Sequence, residues 1–222
     1  MPLIEGIPIV TQPDPTDARA VGRLCAQHRV TILCGTSTFL RMYTQSKSVH
    51  PLMFQNLRMV VAGAEKLRPE VRTGFKEKFG LDIFEGYGTT ETTPVASVNI
   101  PDVLLDDWTS VQVGNKPGTV GQPLPGSQFR IVDPETLADL PVGEAGLVLV
   151  GGSQIMKGYL DDEAKTSESV IKLDGKRWYR SGDKGRIDAD GFLQIVDRYS
   201  RFAKVGGEMV GLGAVELALA ES

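Results

Sequence analysis

The chain has 222 residues, 41% hydrophobic and 23% charged, which excludes a disordered tail and leaves enough length to bury a core without disulfide or metal staples. Its formal net charge of −4 comes with no basic stripe, which counts against nucleic-acid binding, and no apolar run approaches the roughly 18 residues of a membrane span. Cys25 and Cys34 lack a CxxC spacing and read as two buried thiols of a reducing compartment, and Met1 to Gly6 has neither the basic nor the apolar region of a signal peptide.

In chain order, Ile7 to Val10 reads as a strand. Asp14-Pro15 offers a cap and first-turn proline for a helix whose Ala18, Val21, Leu24 and Cys25 share a face. Thr31 to Cys34 reads as a buried strand, followed by a second helix with Phe39, Leu40 and Tyr43 inward. Arg58 to Ala62 is a further strand. Pro69 to Phe79 is a third helix, with Gly80 its stop and Val71, Phe75 and Phe79 on one face. Leu81 to Phe84 is a strand that delivers the chain to Gly86-Tyr87-Gly88. This alternation predicts a mostly parallel α/β layer.

After about residue 112 the pattern changes. Glycines and prolines from Gly114 to Gly126 break any helix, and short strands follow at Gln128 to Val132, Gly146 to Val150, Trp178 to Arg180, Gly185 to Ile187 and Phe192 to Val196. Asp174-Gly175 and Asp190-Gly191 are hairpin turns, and Asp161 to Ser169 is a short helix. The fold class is therefore α/β followed by β. Residues 1–112 form an α/β part, 113–197 a small β-barrel-like part, and 198–222 a glycine-bearing connector that opens a further domain, helical from about Ala214.

Three stretches could carry chemistry. In Glu85-Gly86-Tyr87-Gly88-Thr89-Thr90-Glu91, two glycines let backbone approach a ligand. Tyr87 offers a stacking face, Thr90 a hydroxyl for a phosphate, and Glu91 a hard oxygen for Mg²⁺. An ordinary glycine-rich turn with a surface acid meets the same description. In Tyr179-Arg180-Ser181-Gly182-Asp183 the carboxylate could take two ribose hydroxyls, although Ser-Gly-Asp is also a common turn. Asp197 to Glu208 (DRYSRFAKVGGE) could clamp a nucleotide and bend, or be a solvated linker.

Taken in order and with Ala62-Gly63-Ala64-Glu65 and Gly143-Glu144, these stretches resemble the adenylate-forming superfamily of acyl-CoA synthetases, nonribosomal adenylation domains and luciferases. GYGTTE (Gly86 to Glu91) is similar to its YGxTE motif, and Gly143-Glu144 with Met156-Lys157-Gly158-Tyr159 to its GE…GY segment. YRSGD (Tyr179 to Asp183) is similar to Y[RK]TGD with Ser181 for Thr, and Asp197 to Glu208 to the hinge segment, with Ser200 where relatives carry Asp or Lys. Val60 to Leu67 and Lys204 to Val210 most resemble the acyl-ACP synthetase part of bifunctional 2-acylglycerophosphoethanolamine acyltransferases.

The resemblance implies an ATP-dependent, AMP-forming fatty acyl ligase. Tyr87 would stack on adenine between Gly86 and Gly88, and Gly63, Ala64 and Glu65 would line the other side of the base. Thr90 would meet the α-phosphate, Glu91 would hold Mg²⁺, Asp183 would take the ribose hydroxyls, and Arg198 the ribose or phosphate. Lys204, with Gly206 and Gly207, would lie along the pantetheine path, with Thr90, Glu91 and Lys204 the catalytic set. Gly88, where users of tiny acids carry bulk, would leave a tunnel for a longer chain. The implied partners are a fatty acid, acyl carrier protein or CoA and, through an acyltransferase half outside this chain, a lysophospholipid. The implied location is the cytoplasm, with the parent protein on the cytoplasmic face of the inner membrane.

The superfamily's Ser/Thr/Gly-rich phosphate loop and its late catalytic lysine are not in these residues, so a fragment inactive by itself is expected. An H-x4-D acyltransferase motif is missing too, because His28 and His50 are followed at the fifth position by Leu33 and Gln55. Asp106-Asp107 and Asp161-Asp162-Glu163 read as solvated charges. The rival readings are a ligase for an aryl or amino acid, and a non-catalytic nucleotide-binding or interaction module.

Overall fold

The computed structural model describes residues 4–205 and 208–211. They fall into two compact units that part between Gly86 and Tyr87.

The first unit holds helix α1 (Ala18–Gln27), strand β1 (Ile32–Gly35), α2 (Ser37–Gln45), β2 (Met59–Ala62), α3 (Pro69–Phe79) and all but the last residue of β3 (Ile83–Tyr87). The strands run parallel in the order β1-β2-β3, with Gly35 opposite Ala62 and Ala62 opposite Glu85. The helix faces read from the sequence are the packed ones: Val21, Leu40, Tyr43, Val71 and Phe75 close on Val60 and Ile83. Phe54, Phe75 and Phe79 form an aromatic cluster, Phe79 lying 4.8 and 4.7 Å from the other two ring centroids.

Three local expectations are corrected. Asp17, not Asp14, caps α1, accepting the Ala20 amide at 2.9 Å, while Asp14 ties off its own turn by accepting from Thr16. Residues 7–10 form no strand and their apolar side chains are exposed, because β-propensity without a neighbouring strand leaves backbone groups to water. β1 is not buried: Ile32 is 49% exposed and the Cys34 side chain is exposed, so only Cys25 is a buried thiol.

The second unit is almost all β, and the α/β-then-β organisation holds. Short pairs come first: β4 (Ser97–Val98) with β7 (Gln122–Pro123), and β5 (Val103–Leu104) with β6 (Val111–Gln112). The main sheet is antiparallel. Strand β8 (Ser127–Val132) pairs with β9 (Gly146–Gly152), and β9 pairs with β11 (Lys176–Ile187). Strand β11 also pairs with β10 (Val170–Leu173), across the Asp174-Gly175 turn, and with β12 (Leu193–Arg198). Helix α4 (Glu163–Ser169) starts at Asp162, whose carboxylate accepts the Lys165 amide at 2.9 Å, and β13 (Phe202–Val205) pairs with β14 (Glu208–Gly211). Ala96, Ile131, Val148, Val150, Tyr179 and Leu193 make the core. Among the described residues no helix is long and apolar enough to cross a membrane.

The two short strands expected at Trp178 to Arg180 and Gly185 to Ile187 are one strand. Its register against β9 slips between Arg180 and Lys184. That irregularity is Ser181-Gly182-Asp183, and Gly182 takes φ +73°, a conformation that glycine adopts without strain. The helix expected from Ala214 lies outside the described residues.

Candidate nucleotide site

In the first unit, Gly63 follows the carboxyl end of β2 and Gly86 is the last residue but one of β3. A Cβ built on Gly63 would stand 3.8 Å from the Gly86 carbonyl oxygen, so the two glycines lie side by side at parallel strand ends, the place where open α/β sheets bind ligands. Ala64 adopts φ +68°. Glu65 has a task the sequence did not disclose. Its oxygens accept the Thr38 amide at 2.5 Å and the Thr38 hydroxyl at 3.2 Å, placing negative charge at the N-terminus of α2. Burial pulls the Glu65 carboxyl upward, but these bonds outweigh it and hold the group below the ordinary range. Glu85 is buried and paired with Arg72, which also donates to the Ile83 carbonyl at 2.8 Å.

In the second unit the bulge in β11 does the positioning. Ser181 turns its hydroxyl onto the Val148 carbonyl at 2.8 Å and accepts the Asp183 amide at 3.0 Å, replacing ladder bonds that the slip removes. Asp183 is thereby held at 3% exposure opposite Arg198 of β12. Its Oδ2 accepts the Tyr87 hydroxyl at 2.6 Å, and its Oδ1 accepts Arg198 Nε at 2.7 Å. Burial, and then the adjacent Asp183 charge, push the Tyr87 phenol far above its usual range, while Asp183 raises Arg198. Tyr87, Asp183 and Arg198, 111 positions apart at the extremes of the motif series, form one hydrogen-bonded trio.

Past Tyr87 the chain makes a tight turn. A Cβ on Gly88 would lie 1.8 Å from the Pro94 carbonyl oxygen and 2.9 Å from Val95 Cα. Backbone fills the space a side chain would take, so glycine at position 88 serves a close approach. Thr90 begins a 3₁₀ turn, Thr90–Thr92, and is exposed. Glu91 Oε1 accepts the Tyr159 hydroxyl at 2.6 Å, and its carbonyl accepts the Met156 amide at 2.9 Å. Burial raises the Glu91 carboxyl, but the Tyr159 bond leads a set of hydrogen bonds that hold it below the ordinary range. Tyr179, desolvated beside Glu91 and Tyr159, is pushed up to about 12.

Among the described residues no cluster of three His, Cys, Asp or Glu side chains is arranged for a metal. Glu91 by itself fits Mg²⁺, which takes one or two carboxylates and fills its octahedron with water and phosphate oxygens. Asp107 and Asp162 are bound up in their own turn and helix cap, as solvated acids should be. The Lys204 side chain, Gly206 and Gly207 lie outside the described residues.

With this geometry established, comparison with known proteins decides the family. Residues 1–160 match the family model described as AMP-binding enzyme. The chain belongs to the AMP-binding enzyme family. It is 31% identical over 204 residues to 4-coumarate–CoA ligase 1 of Glycine max, covering 91% of this chain and 67% of that protein. It is 32% identical over 194 residues to the long-chain-fatty-acid–CoA ligase of Salmonella typhimurium, covering 87% of this chain and 32% of the relative. Among solved structures, ATP-bound MatB from Rhodopseudomonas palustris superposes with a TM-score of 0.72 at 29% identity, over 91% of this chain and 37% of its own. The anthranilate CoA ligase AuaEII in complex with anthranoyl-AMP gives 0.77 at 27% identity, over 93% and 37%. The chain thus spans about a third of the length of most of these AMP-binding relatives.

Proposed function

We propose that this chain is the nucleotide-binding part of an ATP-dependent, AMP-forming acid–thiol ligase, with a medium or long fatty acid as substrate. The observation that carries the reading is the Tyr87–Asp183–Arg198 trio, which gathers an aromatic face, a carboxylate and a guanidinium from three separate motifs. In this reading Tyr87 stacks on adenine, Asp183 takes the ribose hydroxyls, Arg198 meets ribose or phosphate, and Thr90 meets the α-phosphate. The Asp183 carboxylate already accepts two bonds, but an ionised carboxylate has about four lone-pair sites, so ribose can be accommodated without displacing Tyr87. For Gly63, Ala64, Glu65 and Gly86, the base-lining role rests on the motif resemblance and on their place at strand ends.

The chemistry has two steps. A carboxylate oxygen attacks the α-phosphorus of ATP, forming acyl-adenylate and releasing pyrophosphate. A phosphopantetheine thiol of CoA or acyl carrier protein then attacks the acyl carbon and AMP leaves. The first step brings together groups of like charge, so its catalysis is positioning and charge neutralisation. Magnesium held by Glu91 would supply part of that neutralisation. Lys204, Gly206 and Gly207 are assigned to the pantetheine path, and residues 198–222 to the hinge and the start of the lid. The superfamily's phosphate loop and late lysine are not among the 222 residues, so the chain alone is expected to release no pyrophosphate. A cytoplasmic setting and an acyltransferase partner acting on a lysophospholipid belong to the same proposal.

One observation favours a second reading, an aryl acid as substrate: several relatives that match are 4-coumarate–CoA ligases. Acid-dependent ATP–pyrophosphate exchange by the intact protein separates the two. Exchange with long-chain fatty acids and none with hydroxycinnamates supports the fatty acyl reading, and the reverse overturns it.

A further inference from the structure

Glu91 does not hold its position alone. The segment Met156-Lys157-Gly158-Tyr159, 65 residues further along the chain, is fastened to it at two points: the Met156 amide on the Glu91 carbonyl at 2.9 Å, and the Tyr159 hydroxyl on Glu91 Oε1 at 2.6 Å. The segment is itself braced. Arg177 Nη2 donates to the Met156 and Lys157 carbonyls at 2.8 and 2.9 Å, the Tyr159 amide donates to Thr166 Oγ1 at 2.8 Å, and the Lys165 ammonium lies 4.2 Å from the Tyr159 ring centroid. At residue 158 a Cβ would meet Thr166 at 2.7 Å, so glycine is what lets α4 come close enough to orient the phenol.

We propose that Tyr159 is a positioning residue for Glu91, its hydroxyl fixing the orientation in which the carboxylate meets the magnesium of a bound nucleotide. This rests on the reading of Glu91 as the magnesium ligand. A phenol donating to an ionised carboxylate makes a short, charge-assisted bond, and it leaves the remaining carboxylate lone pairs for a cation. Partners that orient a metal-ligating carboxylate in this way typically contribute 10- to 100-fold to metal affinity.

The test is titration calorimetry of ATP into the purified chain at a series of Mg²⁺ concentrations, for wild type, Tyr159→Phe and Glu91→Gln, with AMP titrated in EDTA as the metal-free reference. Tyr159→Phe keeps the ring under Lys165 and the amide on Thr166, and loses only the hydroxyl. The expected result is a 10- to 100-fold rise in the Mg²⁺ concentration at half effect for Tyr159→Phe, with metal-free AMP affinity unchanged within about twofold. A Tyr159→Phe curve that overlays wild type while Glu91→Gln loses its Mg²⁺ dependence overturns the role of Tyr159 and leaves Glu91 as ligand. Equal losses of ATP and metal-free AMP affinity in Tyr159→Phe make the residue merely structural and overturn the inference. An unchanged Mg²⁺ dependence in Glu91→Gln overturns the reading of Glu91, and the inference with it.

Discussion

Asp183→Ala removes the one carboxylate on which two other motifs converge, and the structure says how the cost divides. The Asp183 side chain is 4% exposed and that of Arg198 56% exposed, so Arg198 turns to water when its partner goes and costs little, about 0–1 kcal/mol. Tyr87 is different: its hydroxyl lies 2.6 Å from Asp183 Oδ2 in a desolvated setting, and an orphaned buried donor costs about 1–3 kcal/mol. The single change should therefore destabilise the second unit by about 1–4 kcal/mol. In a Tyr87→Phe background the orphan no longer exists, so the same change should cost about 1–3 kcal/mol less. Urea unfolding followed by tryptophan fluorescence reads this unit selectively, because both tryptophans, Trp108 and Trp178, lie within residues 87–222. A coupling between Tyr87 and Asp183 below about 0.5 kcal/mol would refute the reasoning, since residues that do not touch usually add within that margin.

Gly88→Ala should destabilise the second unit by about 1–3 kcal/mol or more in the same urea assay, because its Cβ would sit 1.8 Å from the Pro94 carbonyl oxygen; a neutral result would show that the turn yields. Phe75→Ala should cost the first unit about 3–5 kcal/mol by circular dichroism, since the ring is fully buried against Phe54 and Phe79. Alkaline titration followed by tyrosine ionisation at 295 nm should show Tyr179 ionising near pH 12 rather than 10, and Tyr87 beyond it. The folded forms then hold protons that unfolded tyrosines release, so stability is full below about pH 10 and falls by about 1.4 kcal/mol per pH unit per buried phenol above it. All five tyrosines titrating together near 10 in folded protein would contradict the burial described.

Local signals were legible and tertiary ones were not. Helix α3 runs from Pro69 to Phe79 as read, because Pro and Gly punctuate its ends within the sequence itself. Asp14 misled because an Asp-Pro pair and an Asp directly before the first buried position both satisfy a cap, and only the amide that is reached distinguishes them. Ile7 to Val10 has strand composition, but a strand requires a neighbour, which composition does not name. Ser181-Gly182-Asp183 reads as a turn from its residues, whereas the bulge depends on register against β9, more than 30 positions away. The same limit hid the partners of the site residues. Motif spacing marks Glu65, Glu91 and Asp183, but the bonds to Thr38, Tyr159 and Tyr87 are made across 27, 68 and 96 positions. The close approach at Gly88 is hidden in the same way, since the proximity of Pro94 becomes visible only once the turn is built.

The most direct test of the account is AMP affinity, measured by calorimetry on the wild-type chain and on Asp183→Ala, with near-ultraviolet circular dichroism showing that both remain folded. The account predicts saturable binding by wild type and a loss of at least about tenfold in the variant, the worth of one charge-assisted ribose contact. Equal affinities, or no AMP binding by a folded wild-type chain, would contradict it.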